Sequence, residues 1–435
     1  MEISVLYSIF CQHPIVTTDS RHCPPNSIFF ALKGASFNGN DFAKSALEQG
    51  CAYAVVDEPS CVETFDERYI LVDDVLRTLQ LLANYHRRKL KTRIIGITGT
   101  NGKTTTKELI AHVLMQKYKV LYTKGNLNNS IGVPLTLLRL TDADEVAVVE
   151  MGASHPGDIR ELVEIVEPDY GIITNVGKAH LEGFGSFEGV MKTKGELYDF
   201  LRTKPQAVVF LHNDNLYLKH MAAGLEMVRY GKYIQGDALW AAGEVVECAP
   251  FLHFRWKSET SGWSEVKTHL IGSYNVDNML AAVAIGLYFE VSAEKINDAL
   301  RNYVPTNNRS QLEHTEHNHL IIDAYNANPT SMAAALENFK AMKVAPKMAI
   351  LGAMKELGAQ SEVEHRNVVK QLENCCFDEV LLVGEEFAQI DAPYPVYNNV
   401  EEVMEILRKK KSLEGYYVLI KGSNSMKLSN VVSCL

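Results

Sequence analysis

The chain has 435 residues, which at roughly 150 residues per domain corresponds to about three domains. It carries 43 basic and 53 acidic residues, a formal net charge of −10, so it lacks the overall basic surface that nucleic-acid binding requires. With 46% hydrophobic and 22% charged residues, the composition is that of a globular protein with substantial cores. An anionic ligand must therefore be bound by a local group of basic side chains or backbone amides.

The eight cysteines are scattered and include no C-x-x-C pair, which predicts reduced thiols and argues against a zinc site or a disulfide framework. The first residues lack the basic region and apolar core of a secretory signal peptide. The longest apolar run, residues 279–289, is far shorter than the roughly 20 residues that span a bilayer. We therefore expect a cytoplasmic protein without membrane insertion.

In the first segment, short apolar runs at 27–32 and 52–56 alternate with a helical stretch at 41–49. A longer amphipathic helix is predicted over 74–89, and it ends in a basic run that we interpret as a solvated last turn complementing the helix dipole. This run marks the end of a predicted first domain, residues 1–91.

The second segment has the pattern of apolar strands alternating with helices, which predicts a mostly parallel sheet with helices on both faces. Residues 231–270 instead alternate as an antiparallel hairpin does, and we interpret them as an insertion. The predicted domain is 92–306, with strands at 93–98, 146–150, 170–174 and 207–211 and helices at 103–118, 275–289 and 293–302.

The third segment, residues 307–435, repeats this alternation on a smaller scale. Its predicted strands are 320–323, 347–351, 379–383 and 416–420, with a helix at 331–342. The predicted fold is therefore α/β: three consecutive α/β domains, a central P-loop-type domain with a mostly parallel sheet, and a C-terminal Rossmann-like domain.

The most informative motif is Gly99-Thr100-Asn101-Gly102-Lys103-Thr104-Thr105, between a predicted strand and a predicted helix. Such a loop directs backbone N–H groups and the helix dipole at phosphates, while the lysine reaches the terminal phosphates and the Thr104 hydroxyl can bind Mg²⁺. The motif is shorter than the general P-loop pattern, which would place a glycine where Ile97 stands.

Other polar residues follow predicted strands, at the edge where open α/β sheets bind ligands. Glu150 ends a buried strand, and an acid there can complete a Mg²⁺ shell. His180 is a possible metal ligand, although a lone histidine is more often structural, and spacing does not choose between Lys192 and Lys194 for catalysis. Asp323 suits either ribose hydroxyls or Asx-turn chemistry.

Three histidines, His314, His317 and His319, invite a metal-site interpretation. They lie in a polar, turn-like stretch just before a predicted strand. We favour an exposed hairpin for this segment.

Taken together, these residues make the chain resemble the Mur ligases, ATP-dependent amide-forming enzymes of peptidoglycan precursor synthesis. The segments that carry the resemblance are 18–21, 30–34, 99–105, 125–134, 180–186 and 323–329, the third being the family's own short P-loop. Within the family, the last three resemble the branch that joins D-alanyl-D-alanine to the terminal carboxylate of UDP-N-acetylmuramoyl-tripeptide. The resemblance thus implies ATP, two Mg²⁺ ions and these two substrates, and we expect a monomer.

The resemblance also implies residue roles. For ATP these are the loop residues Gly99 to Thr105, with Asn275, Asn278, Arg309, Asp323, Tyr325 and Asn326. The nucleotide-sugar peptide would contact Ser20, Arg21, Lys33, Gly34, Asn128, Asn129 and Asn328. Metal ligands would be Thr104, Glu150, His180 and a carbamylated Lys194, with Lys192 as the alternative lysine, and the catalytic residues would be Lys103, His180 and Lys194. The dipeptide would contact residues 351–358 and 421–423. Relatives often carry glycine where Asn308 precedes Arg309, which puts only local loop geometry in doubt.

Three alternatives remain. A ligase that adds the third amino acid and a folylpolyglutamate synthetase-like enzyme share the family's motifs, but segments 126–134 and 323–329 argue against both. A P-loop kinase or hydrolase explains the glycine-rich loop equally well and leaves the flanking domains unexplained. A non-enzymatic nucleotide-sensing module explains less than either.

Overall fold

Three β-sheets, each packed against helices, form the protein in a computed structural model that describes residues 1–63, 65–235, 238–306, 309–410 and 413–435. The predicted fold, three consecutive α/β domains with mostly parallel sheets, is confirmed. The divisions that we propose after residues 91 and 306 fall between the last strand of one sheet and the first strand of the next.

The first domain contains a four-stranded parallel sheet of order β1-β2-β3-β4. Its elements are α1 (Ile3–Gln12), β1 (Val16–Thr17), β2 (Ile28–Phe30), α2 (Ala43–Glu48), β3 (Tyr53–Val56), β4 (Tyr69–Leu71) and α3 (Val75–Lys89). Helix α3 begins after Asp74, whose side chain accepts a hydrogen bond from the backbone N–H of Arg77 at 2.7 Å.

The interpretation of the basic run at the end of α3 as solvated is wrong for Arg87. Its side chain is only 12% exposed and donates hydrogen bonds to the backbone carbonyls of Val166 (3.0 Å) and Glu167 (2.9 Å). It also forms an ion pair of 3.1 Å with Asp169. Arg87 therefore ties the last helix of the first domain to the middle domain.

The middle domain is organised around a nine-stranded sheet of order β13-β12-β11-β10-β9-β8-β5-β7-β6. Its strands are β5 (Arg93–Thr98), β6 (Val120–Tyr122), β7 (Val146–Glu150), β8 (Tyr170–Ile173), β9 (Val208–His212), β10 (Glu226–Lys232), β11 (Ala241–Cys248), β12 (Phe251–Lys257) and β13 (Ser264–Ile271). The seven strands from β5 to β11 are all paired in parallel, so their carboxyl ends lie at one edge of the sheet. Strands β6 and β7 lie on one side of β5, and β8 and the strands that follow it lie on the other. The strand order therefore reverses beside β5, which makes the carboxyl end of β5 a topological switch point.

Helices cover both faces of this sheet, as predicted. They are α4 (Lys103–Leu114), α5 (Gly132–Leu137), α6 (Asp158–Val166), α7 (Leu181–Phe184), α8 (Phe187–Arg202), α9 (Leu216–Met221), α10 (Asn275–Tyr288) and α11 (Ala293–Asn302). One core contains α4, α10 and α11, and the other contains α5, α6 and α8 together with α3 of the first domain.

The predicted antiparallel pairing within residues 231–270 is confirmed for β11 with β12 and for β12 with β13. These strands do not form a separate insertion, however. Strand β11 pairs in parallel with β10, from Tyr230 opposite Ala241 to Lys232 opposite Gly243. The three strands therefore extend the central sheet.

The third domain has a six-stranded sheet of order β14-β15-β19-β16-β17-β18, parallel except at β14. Its strands are β14 (Gln311–His314), β15 (His319–Asp323), β16 (Lys347–Gly352), β17 (Glu379–Val383), β18 (Val396–Tyr397) and β19 (Tyr417–Lys421). Its helices are α12 (Pro329–Ala341), α13 (Ser361–Glu373), α14 (Glu385–Ala388) and α15 (Val400–Lys409). The predicted histidine hairpin is confirmed, because His314 in β14 pairs with His319 in β15, and both His314 and His317 are exposed.

Two predictions about the whole chain can be compared with this structure. All eight cysteines are free, as predicted. Across the described ranges, the helices are too short or too polar for a membrane span.

The middle domain can be perturbed and observed separately, because all three tryptophans, Trp240, Trp256 and Trp263, lie on or beside strands β11 to β13. Phe210 in β9 is fully buried, so Phe210→Ala should leave a cavity and lower the free energy of unfolding by about 3–5 kcal/mol. Urea unfolding followed by tryptophan fluorescence measures this change. The control is Leu216→Ala, at a side chain that is 76% exposed, which should change the free energy by no more than about 0.5 kcal/mol. Equal effects of the two substitutions would contradict the described core.

Candidate active site

A cavity of about 830 Å³ lies at the carboxyl edge of the central sheet, between the middle and third domains. It brings together most of the residues predicted for ATP and metal. The predicted residues that line it are Thr100, Asn101, Gly102, Lys103, Thr105, Asn128, Asn129, Glu150, His180, Asn275, Asn278, Arg309, Asp323, Tyr325 and Asn326.

The glycine-rich loop connects β5 to α4, and its backbone requires glycine at two positions. Gly99 and Gly102 have φ angles of +142° and +78°, which side chains disfavour. A Cβ atom on Gly99 would lie 2.0 Å from the Thr174 hydroxyl, and one on Gly102 would lie 2.7 Å from the Asn278 side chain. The loop is therefore closely packed between β8 and α10, with the N-terminus of α4 directed at the cavity.

Lys103 is the first residue of α4, and its ammonium group lies within the loop. The Nζ atom donates hydrogen bonds to the backbone carbonyls of Gly99 (2.7 Å) and Thr100 (3.0 Å). The pKa of Lys103 is lowered to about 8, chiefly by burial; the Glu150 carboxylate opposes this shift, and the nearby Arg309 guanidinium adds to it. The Lys103 ammonium therefore lies beside the backbone of the glycine-rich loop and near the Arg309 guanidinium.

Glu150, at the end of β7, is the centre of a buried polar cluster and is only 1% exposed. Its Oε1 atom accepts hydrogen bonds from the Thr104 hydroxyl (3.2 Å) and the Asn128 amide (2.9 Å). Lys107, a fully buried residue that the sequence analysis missed, places its Nζ atom 3.4 Å from Oε2. Within the described residues, Oε2 has no hydrogen-bond partner. The hydroxyl of Thr104 and the free oxygen of Glu150 form the hard-oxygen donor set that suits Mg²⁺.

His180 and Lys194 form a second ionisable group beside this cluster. The Nδ1 atom of His180 lies against the Oε2 atom of Glu356, a third-domain residue in the segment that was predicted only for the dipeptide. Lys194 in α8 is only 2% exposed, whereas Lys192 is exposed. Burial, followed by the charge of Lys103, holds the pKa of Lys194 well below its ordinary value. Burial also lowers the pKa of His180.

The third domain contacts the middle domain across the cavity. The Asn328 side-chain amide donates to the Asn101 side-chain oxygen at 2.7 Å, and the Lys178 ammonium lies 2.7 Å from the Glu364 carboxylate. Asn328 also caps α12 in a capping box. The Asn328 contact holds the glycine-rich loop against the N-terminus of α12, and the Lys178–Glu364 pair joins the segment after β8 to α13.

The residues of the third domain that were predicted for ATP lie in a separate polar cluster. Asp323 and Lys421 end the neighbouring parallel strands β15 and β19, and their side chains form an ion pair of 2.6 Å. The guanidinium carbon of Arg309 lies 3.9 Å from the centroid of the Tyr325 ring. Of the two segments predicted for the dipeptide, 351–358 contributes Glu356 to the cavity and 421–423 contributes Lys421.

On the opposite side of the loop, Asn275 and Asn278 lie in the first turn of α10. The Asn278 amide donates to the Asn275 side-chain oxygen at 2.8 Å, and its own oxygen accepts from the Thr106 hydroxyl at 3.0 Å. Both asparagines are therefore held in fixed orientations at the edge of the cavity.

The four residues predicted in the first domain, Ser20, Arg21, Lys33 and Gly34, do not line the cavity. Arg21 forms an ion pair with Asp19, and Lys33 lies 2.9 Å from Asp57 and 3.0 Å from Glu58. The structure thus separates these residues from the ATP-side group.

A glycine-rich loop at the switch point of a parallel sheet, with a lysine, a buried acid and a hydroxyl beside it, defines a phosphate-binding α/β enzyme of the P-loop type. Family models place the chain more narrowly. Residues 14–87 match the Mur ligase family catalytic domain, 97–286 the Mur ligase middle domain and 308–424 the Mur ligase glutamate ligase domain. The chain belongs to the Mur ligase family.

The relatives extend over almost the whole chain. The UDP-N-acetylmuramoyl-tripeptide–D-alanyl-D-alanine ligase of Bacillus subtilis (strain 168) is 35% identical over 97% of this chain and 92% of its own length. A crystal structure of MurF from Acinetobacter baumannii matches with a TM-score of 0.85 at 30% identity, covering 96% of this chain and 92% of that one. A MurF ligase from Thermotoga maritima in complex with ADP matches with a TM-score of 0.84 at 25% identity over 97% of both chains. The resemblance seen in the sequence is confirmed.

The charge balance at Glu150 can be tested by substitution. Glu150→Gln keeps the shape of the side chain but removes the nearer of the two carboxylates beside the buried Lys107 ammonium, which lies 3.4 Å from Glu150 and 3.9 Å from Glu108, so we expect the free energy of unfolding to fall by about 3 kcal/mol. Adding Lys107→Met should restore most of this loss, since neither charge is then buried. Urea unfolding followed by tryptophan fluorescence measures both effects.

The control for this prediction is Glu244→Gln, whose partner Arg255 lies on the partly exposed β11–β12 surface. Its effect should not exceed about 1 kcal/mol. If Glu150→Gln were as mild as this control, or if Lys107→Met gave no recovery, the buried pair would not be a stabilising charge interaction.

Proposed function

We propose that this chain is an ATP-dependent ligase of peptidoglycan synthesis that joins D-alanyl-D-alanine to the terminal carboxylate of UDP-N-acetylmuramoyl-tripeptide. The observation that carries the proposal is the full-length similarity to ligases of that name, combined with a cavity in which the P-loop, the acidic cluster and the third domain meet. ATP and UDP-linked precursors are cytoplasmic metabolites, so we propose a cytoplasmic protein, and we further propose that it acts as a monomer.

In this proposal ATP binds along the glycine-rich loop. The backbone N–H groups and Lys103 would hold the phosphates, Asn275 and Asn278 would contact the base, and Arg309 and Asp323 would approach from the third domain. The similarity to a MurF ligase solved with ADP supports this nucleotide. Each proposed domain would bind a different ligand. Residues 1–91 would bind the UDP end of the nucleotide-sugar peptide, 92–306 would bind ATP and metal, and 307–435 would bind the dipeptide.

Two Mg²⁺ ions fit the donor groups present. Thr104 and Glu150 would hold the first, and His180 with a carbamylated Lys194 would hold the second. When bound, these ions would offset the negative charge of the triphosphate. Carbamylation requires a neutral amine, and the lowered pKa of Lys194 favours that form, whereas the exposed Lys192 has no comparable environment.

The chemistry follows from the poor reactivity of a carboxylate toward amines. The terminal carboxylate of the tripeptide attacks the γ-phosphorus of ATP, the bond to the bridging oxygen breaks, ADP leaves and an acyl phosphate forms; Lys103 stabilises the charge that develops on the transferred group. The amine of D-alanyl-D-alanine then attacks the acyl phosphate, and the tetrahedral intermediate collapses to an amide and inorganic phosphate. Because the acyl phosphate is sensitive to water, the third domain would close over the cavity, and the contacts of Asn328 and Glu356 with the middle domain would support this closure.

The two substrates of ligation would contact residues of all three domains. Asn128 and Asn129 line the cavity on the middle-domain side and would face the sugar and peptide. Ser20, Arg21, Lys33 and Gly34 would contact the UDP end, for which the basic side chains must exchange their present acidic partners for phosphate. Residues 351–358 and 421–423 would contact the dipeptide.

The substrate requirement of ATP cleavage separates this ligase from the alternatives. We expect phosphate release from ATP only when both UDP-N-acetylmuramoyl-tripeptide and D-alanyl-D-alanine are present. The tripeptide is needed to form the acyl phosphate, and phosphate leaves only after the dipeptide amine has attacked it. A coupled phosphate assay with each substrate omitted in turn provides the measurement. Release at an equal rate without the dipeptide would favour an unrelated P-loop ATPase. Activity with UDP-N-acetylmuramoyl-dipeptide and a free amino acid would favour the ligase that adds the third residue.

The two lysines of α8 form a matched pair of variants. Lys194→Ala should abolish ligation, with a loss of at least about 100-fold in kcat, because the group proposed to bind metal is removed. Lys192→Ala, two residues away and exposed, should leave kcat unchanged within about twofold, as expected of an exposed side chain outside the site. Circular dichroism shows that each variant is folded. An active Lys194→Ala variant beside an inactive Lys192→Ala variant would show that the other lysine carries the role.

A further inference from the structure

A second cluster of potential ligands lies on the far side of the cavity, away from Glu150. His212 ends β9, Asp214 follows it, and Asp277 lies in the first turn of α10. The Nε2 atom of His212 is 3.5 Å from the Oδ2 atom of Asp214 and 3.5 Å from the Oδ1 atom of Asp277. One ligand atom from each of the three side chains can be chosen so that all lie within 4.8 Å of one another.

The geometry within this cluster is not that of hydrogen bonds. His212 is only 9% exposed, and its Nε2 atom and the Oδ1 atom of Asp277 are shielded from solvent without a hydrogen-bond partner in the described ranges. A separation of 3.5 Å exceeds the usual N–H···O range of about 2.7–3.2 Å. Buried polar atoms without partners are costly, so two such atoms directed at one point indicate a missing ligand.

The surrounding residues fix the ligand groups in place. The ring of Tyr230, itself buried, stacks on the imidazole of His212 with centroids 5.4 Å apart and planes inclined by 5°. The backbone N–H of Lys232 donates to the Oδ2 atom of Asp214 at 2.7 Å. The imidazole and one carboxylate are therefore oriented by neighbours that do not occupy the space between the three side chains.

We propose that His212, Asp214 and Asp277 bind a divalent first-row transition-metal ion, with Zn²⁺ as the best-fitting ion. Ligand atoms about 2.1 Å from a tetrahedral Zn²⁺ lie about 3.4 Å apart, close to the two observed separations. An imidazole nitrogen with two carboxylate oxygens is a donor set for Zn²⁺ and its first-row neighbours. The ion would also offset two neighbouring carboxylates.

This site is separate from the proposed Mg²⁺ sites, since it shares none of Thr104, Glu150, His180 or Lys194. The ion would join the end of β9 to the first turn of α10, the helix that carries Asn275 and Asn278. Because His212 and Asp277 both line the cavity, a fourth coordination position can face it. The ion would thereby stabilise the helix terminus beside the glycine-rich loop.

Zn²⁺ titration of the metal-stripped, nucleotide-free full chain by isothermal calorimetry tests the proposal. Relative to wild type, His212→Gln and Asp277→Asn should each lose about one equivalent of Zn²⁺, as removal of a ligand predicts. Zn²⁺ should also raise the midpoint of thermal unfolding of wild type more than that of either variant. The Asp277 side chain is 34% exposed, so Asp277→Asn provides the same comparison should His212→Gln not fold.

Two controls make the result specific. His253→Gln removes a histidine whose Nε2 atom also lacks a hydrogen-bond partner in the described chain but lies near a single carboxylate, that of Glu265 at 3.3 Å. This variant and Glu150→Gln should both retain the equivalent of Zn²⁺ that His212→Gln loses. The proposal is overturned if wild type binds no Zn²⁺ outside the Glu150 region, or if the ligand variants bind as much as wild type.

Discussion

The buried carboxylate of Glu150 is the constraint around which the rest of the proposed active site is arranged. Its oxygens contact Thr104 and Lys107 from α4 and Asn128 from the segment after β6. A charge buried this deeply is tolerated only when opposite charge and hydrogen bonds surround it, so α4 and the segment after β6 must meet at the end of β7. The glycine-rich loop and the segment that carries Asn128 are therefore held in fixed positions relative to each other.

Much of the fold was predictable because the core strands are short apolar runs with clear boundaries. β17 (Glu379–Val383) and α11 (Ala293–Asn302) were predicted with the residues observed. What could not be predicted depends on contacts between distant segments. The pairing of β10 with β11 turns a predicted insertion into an extension of the sheet, and Arg87 is buried only because the carbonyls after α6 lie opposite it. Neither partner can be identified from local sequence.

The site was predictable to the extent that carboxyl ends of parallel strands in one sheet meet at one edge, which is why Lys103, after β5, and Glu150, at the end of β7, both reach the cavity. Lys107 was missed, although it lies four residues after Lys103 and helical spacing places the two on neighbouring positions of α4. Glu356 had no local signal, because its position against His180 arises from packing between domains. The roles of Lys33 and Lys194 came from the family resemblance alone.

The central claim is that the tripeptide carboxylate is activated as an acyl phosphate before the amide forms. The most direct measurement uses UDP-N-acetylmuramoyl-tripeptide with ¹⁸O in its terminal carboxylate, and mass spectrometry of the phosphate released during ligation. The account predicts that an ¹⁸O atom passes from the carboxylate to phosphate in each turnover, because the bond between the carbonyl carbon and the bridging oxygen breaks when the amine attacks. Phosphate without the label would contradict the account, since ATP would then have been cleaved without attack by the carboxylate.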